Sequence, residues 1–424
     1  MDPTRRNFLH TLAATGLAAG FWPRALRAAS RATVVVVGGG FAGATAAKYL
    51  RVWAPEIEVV LIEPNREWIS CPLSNRVLAG SLSLRDLKRD YGRLAERHGV
   101  KLVHATVTQV DPARREVRTD QGERIAYDRL IVAPGVDFVY DDIAGLQTEP
   151  ARERVPHAWK AGPQTLLLRK RIADLPPGGV VAIHIPKAPF RCPPGPYERA
   201  SMIASYLTTR NPKGKVLVFD ANPDIQSKKA LFSHVWGTRY PGMVEYVPNA
   251  DLKAVDATRG VMKFDLQGEV RADCLNVIPP QRAGGIAYQA GLVAANERWC
   301  RVGFLTYESV AARGIHVIGD SVAAAPGMPK SGHMANQQAK VCAGAVAALI
   351  SGTPVNDDPI IANTCYSFVG AREVIHVASV HRYDRAQKTM LPVKGAGGVS
   401  SEVSTEEALF AVAWGFNLMN DVFS

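Results

Sequence analysis

Apolar positions along the chain fall into short unbroken runs separated by glycine turns and helix-spaced stripes. Thr33 to Val37 reads Thr-Val-Val-Val-Val, the continuous pattern of a parallel strand covered on both faces. Gly38-Gly39-Gly40-Phe41-Ala42-Gly43 follows, and residues 44–52 carry the spacing of a helix. A second apolar run over residues 57–62 ends at Glu63. Strand, glycine turn, helix, strand and acid, in that order, compose a dinucleotide-binding unit. Gly38 takes the tight turn, Gly40 lets the backbone approach a pyrophosphate, and Gly43 lets helix and strand pack closely. The helix N-terminus offers free N–H groups to the phosphates, and Glu63 is placed to accept from ribose hydroxyls.

The middle of the chain repeats this pattern with one change. Residues 179–185 read as a strand, 199–208 as a helix, and 215–219 as a strand ending in Asp220. The glycine loop is missing. In its place stands Pro186-Lys187-Ala188-Pro189-Phe190-Arg191-Cys192-Pro193-Pro194-Gly195-Pro196-Tyr197-Glu198. Prolines remove N–H donors and bulky side chains block close approach, so a nicotinamide dinucleotide is not expected to bind. Cys192 sits in the loop instead. A third region, rich in Val, Phe and Trp, runs from about residue 351 to the end.

Two further segments point to the cofactor. Arg129-Leu130-Ile131-Val132-Ala133-Pro134-Gly135 resembles the strand and glycine that pass the first nucleotide in two-dinucleotide flavoproteins. Gly314-Ile315-His316-Val317-Ile318-Gly319-Asp320 resembles their second flavin motif, in which the acid meets a ribityl hydroxyl. A helix is expected soon after Pro329 or Lys330, with its positive end toward the flavin, where it stabilises an anionic reduced ring. FAD is therefore the expected cofactor, with Ala133, Gly135, Gly319, Asp320 and Lys330 joining Gly38, Gly40, Gly43 and Glu63 as candidate contacts. The expected architecture is α/β. Two Rossmann-like domains, the FAD one discontinuous and the second NAD-like without its glycine loop, precede a C-terminal α+β interface domain. The expected boundaries are 31–150 and 286–350 for the FAD domain, 151–285 for the NAD-like domain, and 351–424 for the interface domain.

Composition narrows the setting. The 424 residues are 47% hydrophobic and 21% charged, an ordinary globular profile. A net charge of +11 is scattered without like-charge blocks or aromatic–basic interleaving, which argues against nucleic acid and suits an acidic protein partner. No apolar run reaches the ~20 residues that a membrane span needs. Thr4-Arg5-Arg6-Asn7-Phe8-Leu9-His10, an apolar stretch over residues 11–21, and Ala28-Ala29-Ser30 resemble a twin-arginine export signal over residues 1–30. A periplasmic location is expected, where disulfides persist. The six cysteines form no Cys-x-x-Cys pair and no haem-attachment motif, and the histidines have no metal-ligand spacing. Cys274, Cys300 and Cys342 read as core residues.

The other three cysteines fall where this fold meets its flavin. Cys71 lies in Trp68-Ile69-Ser70-Cys71-Pro72-Leu73-Ser74-Asn75, eight residues past Glu63; Cys192 occupies the altered loop; Cys365 lies in Asn363-Thr364-Cys365-Tyr366-Ser367 of the third region. With Arg191-Cys192-Pro193-Pro194-Gly195-Pro196-Tyr197-Glu198, these segments make the chain resemble the flavoprotein subunit of flavocytochrome c sulfide dehydrogenase over nearly its whole mature length. The resemblance implies a thioether from Cys71 to the flavin 8α-methyl, a redox-active disulfide between Cys192 and Cys365, and Glu198 as a nearby proton acceptor. It implies hydrosulfide as substrate and a separate c-type cytochrome chain as partner in a heterodimer. A sulfide:quinone oxidoreductase and a non-catalytic FAD-containing binding protein are the alternatives.

Overall fold

The computed structural model describes residues 31–424, and the segment expected to direct export lies outside the described residues. The chain starts with β1 (Thr33–Val37), α1 (Phe41–Trp53), β2 (Glu58–Ile62), β3 (Lys101–Val103) and β4 (Arg129–Val132). β1 runs parallel to β2 on one side and to β4 on the other, with Val34 opposite Val59 and Arg129. The strand Ile315–Val317 joins β4 in parallel, which makes this seven-stranded sheet discontinuous in sequence. Val34, Val35 and Val36 have no solvent exposure, as a strand covered on both faces requires. α1 begins at Phe41, earlier than its spacing indicates, because extended Gly40 already caps the helix.

A second sheet holds β5 (Val180–Ile185), β6 (Lys215–Asp220), β7 (Val244–Val247) and β8 (Cys274–Val277), all parallel, in the order β7–β6–β5–β8. Its helix α2 covers Gly195–Arg210 and so begins four residues before the expected start. The proline-rich run is partly the helix itself: Pro194 caps it and Pro196 stands in its first turn, where no N–H partner is lost.

Helix α3 (Gly332–Ser351) packs against α1. A third sheet then forms from β9 (Ile360–Gly370), β10 (Glu373–Asp384) and β11 (Thr389–Val399), antiparallel and in sequence order. The last helix, α4 (Glu407–Phe423), returns to the first domain. There Asp421 accepts from Tyr49 (2.6 Å) and Asn336 (2.8 Å) and pairs with Lys340 (2.9 Å). Residues 32–424 form one compact unit, and no described helix is long and apolar enough to cross a membrane.

A Cβ on Gly43 would stand 1.8 Å from the carbonyl oxygen of Gly38 and 3.3 Å from Val36 Cγ1. Gly43→Ala is therefore expected to cost about 2 kcal/mol or more. Denaturant midpoints of the purified variant and parent, read by tryptophan fluorescence, check this; equal midpoints would show that the turn has slack.

Candidate active site

A cavity of about 630 Å³ lies against the carboxyl ends of β1 and β4, where the loops after four parallel strands meet. Gly38 has φ +98°, and a Cβ there would lie 2.4 Å from the Ala133 carbonyl oxygen, so only glycine brings the two loops together. The same test on Gly40 meets nothing nearer than 3.7 Å, because Gly40 faces the cavity. Glu63 stands at the cavity edge, its Oε2 accepting from Gly39 N at 2.8 Å and its Oε1 from Asn65. Ala133 and Gly135 line the neighbouring wall.

Farther along, Gly319 takes φ +77° and its N–H donates to Gln338 at 2.9 Å, which turns Asp320 into the cavity wall. Asp320 Oδ1 is buried with no partner among the described residues, and a ligand hydroxyl suits it as a donor. The N-terminus of α3 completes the line. Ser331 caps it by accepting from Met334 N at 3.0 Å, and Gly332 and His333 border the cavity. A glycine cradle, an unpartnered acid and a helix N-terminus set along one cavity are the donor set that FAD requires: pyrophosphate, ribityl chain and pyrimidine ring in turn.

Lys330 departs from its expected place. Its ammonium donates to the carbonyls of Asp320 (2.9 Å) and Val322 and lies 3.7 Å from the centre of the Trp299 ring. The side chain is absent from the cavity wall and braces the Asp320 turn from behind. Burial lowers its pKa to about 8.

Cys71, Cys192 and Cys365 all line this cavity, each from a different segment. Cys71 Sγ accepts from Ala161 N at 3.5 Å. Cys192 is held in a left-handed conformation, φ +58°, which a side chain rarely adopts, with its N–H bonded to the Lys330 carbonyl at 2.8 Å. Cys365 lies in the middle of β9, opposite Val377. No bond joins the two sulfurs, and all six cysteines are unbridged. Burial pushes both thiols up, and Lys228 pulls each of them down. Cys274, Cys300 and Cys342 are core residues outside the cavity wall, as the sequence indicates.

Glu198 is buried on the first turn of α2 and reaches the same cavity. Its Oε2 accepts from Asn75 Nδ2 (2.9 Å) and its Oε1 from Phe368 N (2.9 Å). Burial raises its pKa against those bonds. Arg199 beside it is fully enclosed, donating to Asn75 Oδ1, Asn276 Oδ1 and the carbonyls of His157 and Ala158. Sequence reading missed the roles of Asn75, Arg199 and Lys228. Asn75 closes the Cys71 segment already singled out, which was the available signal; Lys228 carries none.

The second nucleotide site is filled by protein. Asp220, at the end of β6 as Glu63 is past β2, accepts from Tyr197 OH (2.7 Å), Tyr246 OH (3.0 Å) and both N–H groups of Asn222. No acceptor remains for a ribose, and Tyr197 itself comes from the altered loop.

Gly195, the glycine of that loop, is closely surrounded. A Cβ there would lie 2.7 Å from the Trp159 ring and 2.8 Å from Cys192 Sγ. Gly195→Ala is expected to displace the Cys192 sulfur and to slow its alkylation, relative to that of Cys365, by about tenfold or more. Site-resolved mass spectrometry after a timed iodoacetamide pulse checks it; an unchanged ratio would mean the ring yields instead.

Residues 165–279 match the family described as sulfide dehydrogenase (flavocytochrome c) flavoprotein chain, central. Residues 357–423 match flavocytochrome c sulphide dehydrogenase, flavin-binding, and residues 32–161 match pyridine nucleotide-disulphide oxidoreductase. The sulfide dehydrogenase flavoprotein chain of Chlorobaculum thiosulfatiphilum is 59% identical over 44 residues, 10% of this chain and 92% of that sequence. The sulfide-quinone reductase of Aquifex aeolicus (strain VF5) is 24% identical over 361 residues, covering 80% of this chain and 81% of the other. The mitochondrial sulfide:quinone oxidoreductase of Dictyostelium discoideum is 26% identical over 186 residues, and the matched part spans 40% of its length. A solved structure of the Aquifex aeolicus sulfide:quinone oxidoreductase shares the fold with TM-score 0.74 and 21% identity, over 92% of this chain and 91% of that one. By its central and flavin-binding segments and the 59% identity, this chain belongs to the flavocytochrome c sulfide dehydrogenase flavoprotein family.

Proposed function

We propose that the chain oxidises hydrosulfide at Cys192 and Cys365 beside FAD and delivers the electrons to a c-type cytochrome partner in the periplasm. The observation that carries the reading is the meeting of both cysteines and a buried acid in the flavin cavity, on the side where the nicotinamide loop has been lost.

With Cys192 and Cys365 joined, hydrosulfide attacks the Cys192 sulfur. The new bond leaves a persulfide on Cys192, and the electron pair of the broken bond goes to Cys365 as thiolate. A second hydrosulfide attacks the outer persulfide sulfur, frees Cys192 as thiolate and releases hydrogen disulfide. Glu198, its pKa raised by burial, accepts the proton that this product sheds near neutral pH. With FAD bound along Gly38, Gly40, Gly319 and Asp320, the site would have the two-electron acceptor that rejoining the Cys192 and Cys365 thiolates requires, and one able to pass electrons on singly. Cys71, which lines the cavity, would be the attachment point for the flavin methyl group.

The family supports a cytochrome acceptor, and the +11 charge suits an acidic partner face. The twin-arginine pattern at Arg5 and Arg6 supports export to the periplasm in folded form. Two measurements test the reading. Cys192→Ser and Cys365→Ser are each expected to lower the rate of flavin reduction by sulfide by about 100-fold or more, seen in anaerobic stopped flow; wild-type rates would remove the pair from the mechanism. With sulfide as donor, horse-heart cytochrome c is expected to be reduced faster than decylubiquinone. The reverse order would transfer the chain to the quinone-reducing activity for which two of its relatives are named.

A further inference from the structure

A buried lysine reaches the cysteine pair without lining the cavity. Lys228 caps the helix Lys229–Thr238 with φ +56° and is 6% exposed. Its ammonium crosses to β9, donating to the carbonyl of Cys365 itself (3.1 Å) and to Ser367 Oγ (2.7 Å). Both acceptors are neutral, and an ammonium has a third N–H. Among the described residues no carboxylate lies within the 4.0 Å of an ion pair. A cation enclosed in protein with no carboxylate in contact is costly, and an anion that forms next to it lowers that cost.

The titratable and charged groups that face Lys228 come from four elements. Cys365 is on β9, Glu198 on α2, Cys192 on the loop before α2, and Glu407 on α4. Of these, Cys365 acts on it most strongly. Seen from the sulfurs, Lys228 favours the thiolate of both cysteines; Glu198 opposes it at both; Arg191 favours it at Cys192 and Asn363 at Cys365. Burial draws the lysine down to about 8, and the negative charge of Cys365, Glu198, Cys192 or Glu407 works against that fall.

We propose that Lys228 is the built-in counter-ion of the Cys192–Cys365 pair, a positioning residue whose ammonium stabilises the thiolate left on Cys365 when the bond between the two sulfurs opens. The proposal rests on the hydrosulfide reaction above. In that step one S–S bond forms on Cys192, one breaks, and the electron pair of the broken bond moves to Cys365. The negative charge that arrives on hydrosulfide ends on a buried sulfur, and no proton is required. A cation already in place removes the need to bring one in. Glu198 contributes the opposite field, so the lysine and the acid set the acidity of Cys365 between them.

The test uses flavin-loaded protein, reduced anaerobically with dithiothreitol and freed of it. Alkylation of Cys365 by iodoacetamide is followed against pH with site-resolved mass spectrometry. Lys228→Gln keeps a hydrogen-bonding side chain and removes the charge. Its Cys365 midpoint is expected to rise by about one pH unit or more, close to tenfold less thiolate at a fixed pH below the midpoint. Lys228→Arg should restore most of the wild-type midpoint, and Glu198→Gln should move it the other way. Ser367→Ala, which retains the charge and loosens its hold, should give a smaller upward shift and covers the case in which Lys228→Gln does not take up flavin. Midpoints unmoved in both Lys228→Gln and Ser367→Ala, or in the latter alone if the former fails to load, would overturn the proposal. No sulfide is present, so the outcome is separable from the reaction: a shifted midpoint in a protein whose flavin sulfide does not reduce would remove the hydrosulfide reading and leave Lys228 as the counter-ion of the thiolate.

Discussion

Glu198 spends one carboxylate oxygen on each of two distant segments. One accepts from Asn75, in the turn that carries Cys71, and the other from the backbone of Phe368, on the strand that carries Cys365. Glu198 itself stands on the helix that follows Cys192. A single buried acid thus pins all three cysteine-bearing segments to one another, and they come from three different sheets or their connections. A buried carboxylate tolerates neither partner's loss without a large penalty, so the three segments are held in one arrangement. The enclosed cations around it, Arg199 toward Asn75 and Lys228 toward Cys365, extend the same constraint outward.

The second parallel sheet has the topology of a nucleotide-binding unit, with protein side chains in place of the ligand. The strand order and the trailing acid are those of a nucleotide-binding unit, yet Asp220 is consumed by Tyr197, Tyr246 and Asn222. Tyr197 sits one residue before Glu198. The segment that closes the nucleotide site therefore also carries the acid and Cys192 to the flavin cavity. In chemical terms, a loop that would present a hydride donor presents one sulfur of the pair, Cys192, and the acid Glu198 in its place, while Cys365 comes from β9.

How much of this is readable from residues alone depends on range. The first strand, its glycine turn, helix and second strand are set by neighbours within thirty residues, and the apolar runs and glycine spacing place them closely. Gly319 and Asp320 are likewise found from a local motif, and the unpartnered Asp320 oxygen agrees with it. The proline-rich segment misleads because prolines usually end helices, whereas at a first turn they cost no hydrogen bond; hence α2 begins at Gly195 and not at Arg199. Lys330 misleads for another reason: the motif locates its backbone, but the direction of its side chain follows from the carbonyls of Asp320 and Val322 and from the Trp299 ring. Lys228 is invisible in sequence, since its partners on β9 lie 137 and 139 residues away. The long antiparallel strands β9 to β11 were legible only as a Val-, Phe- and Trp-rich region, because β10 and β11 are not alternately buried and exposed and β9, which largely is, buries polar Asn363 and Ser367.

The central claim is that this flavin is served by a sulfur pair where a relative of the same fold would use a nicotinamide. Anaerobic titration of the flavin-loaded protein, watched at the visible flavin band, tests it most directly. The account predicts that stepwise sulfide bleaches the band while NADH or NADPH, at the same concentrations and times, leaves it unchanged. Bleaching by a nicotinamide at a rate equal to or above that of sulfide would contradict it.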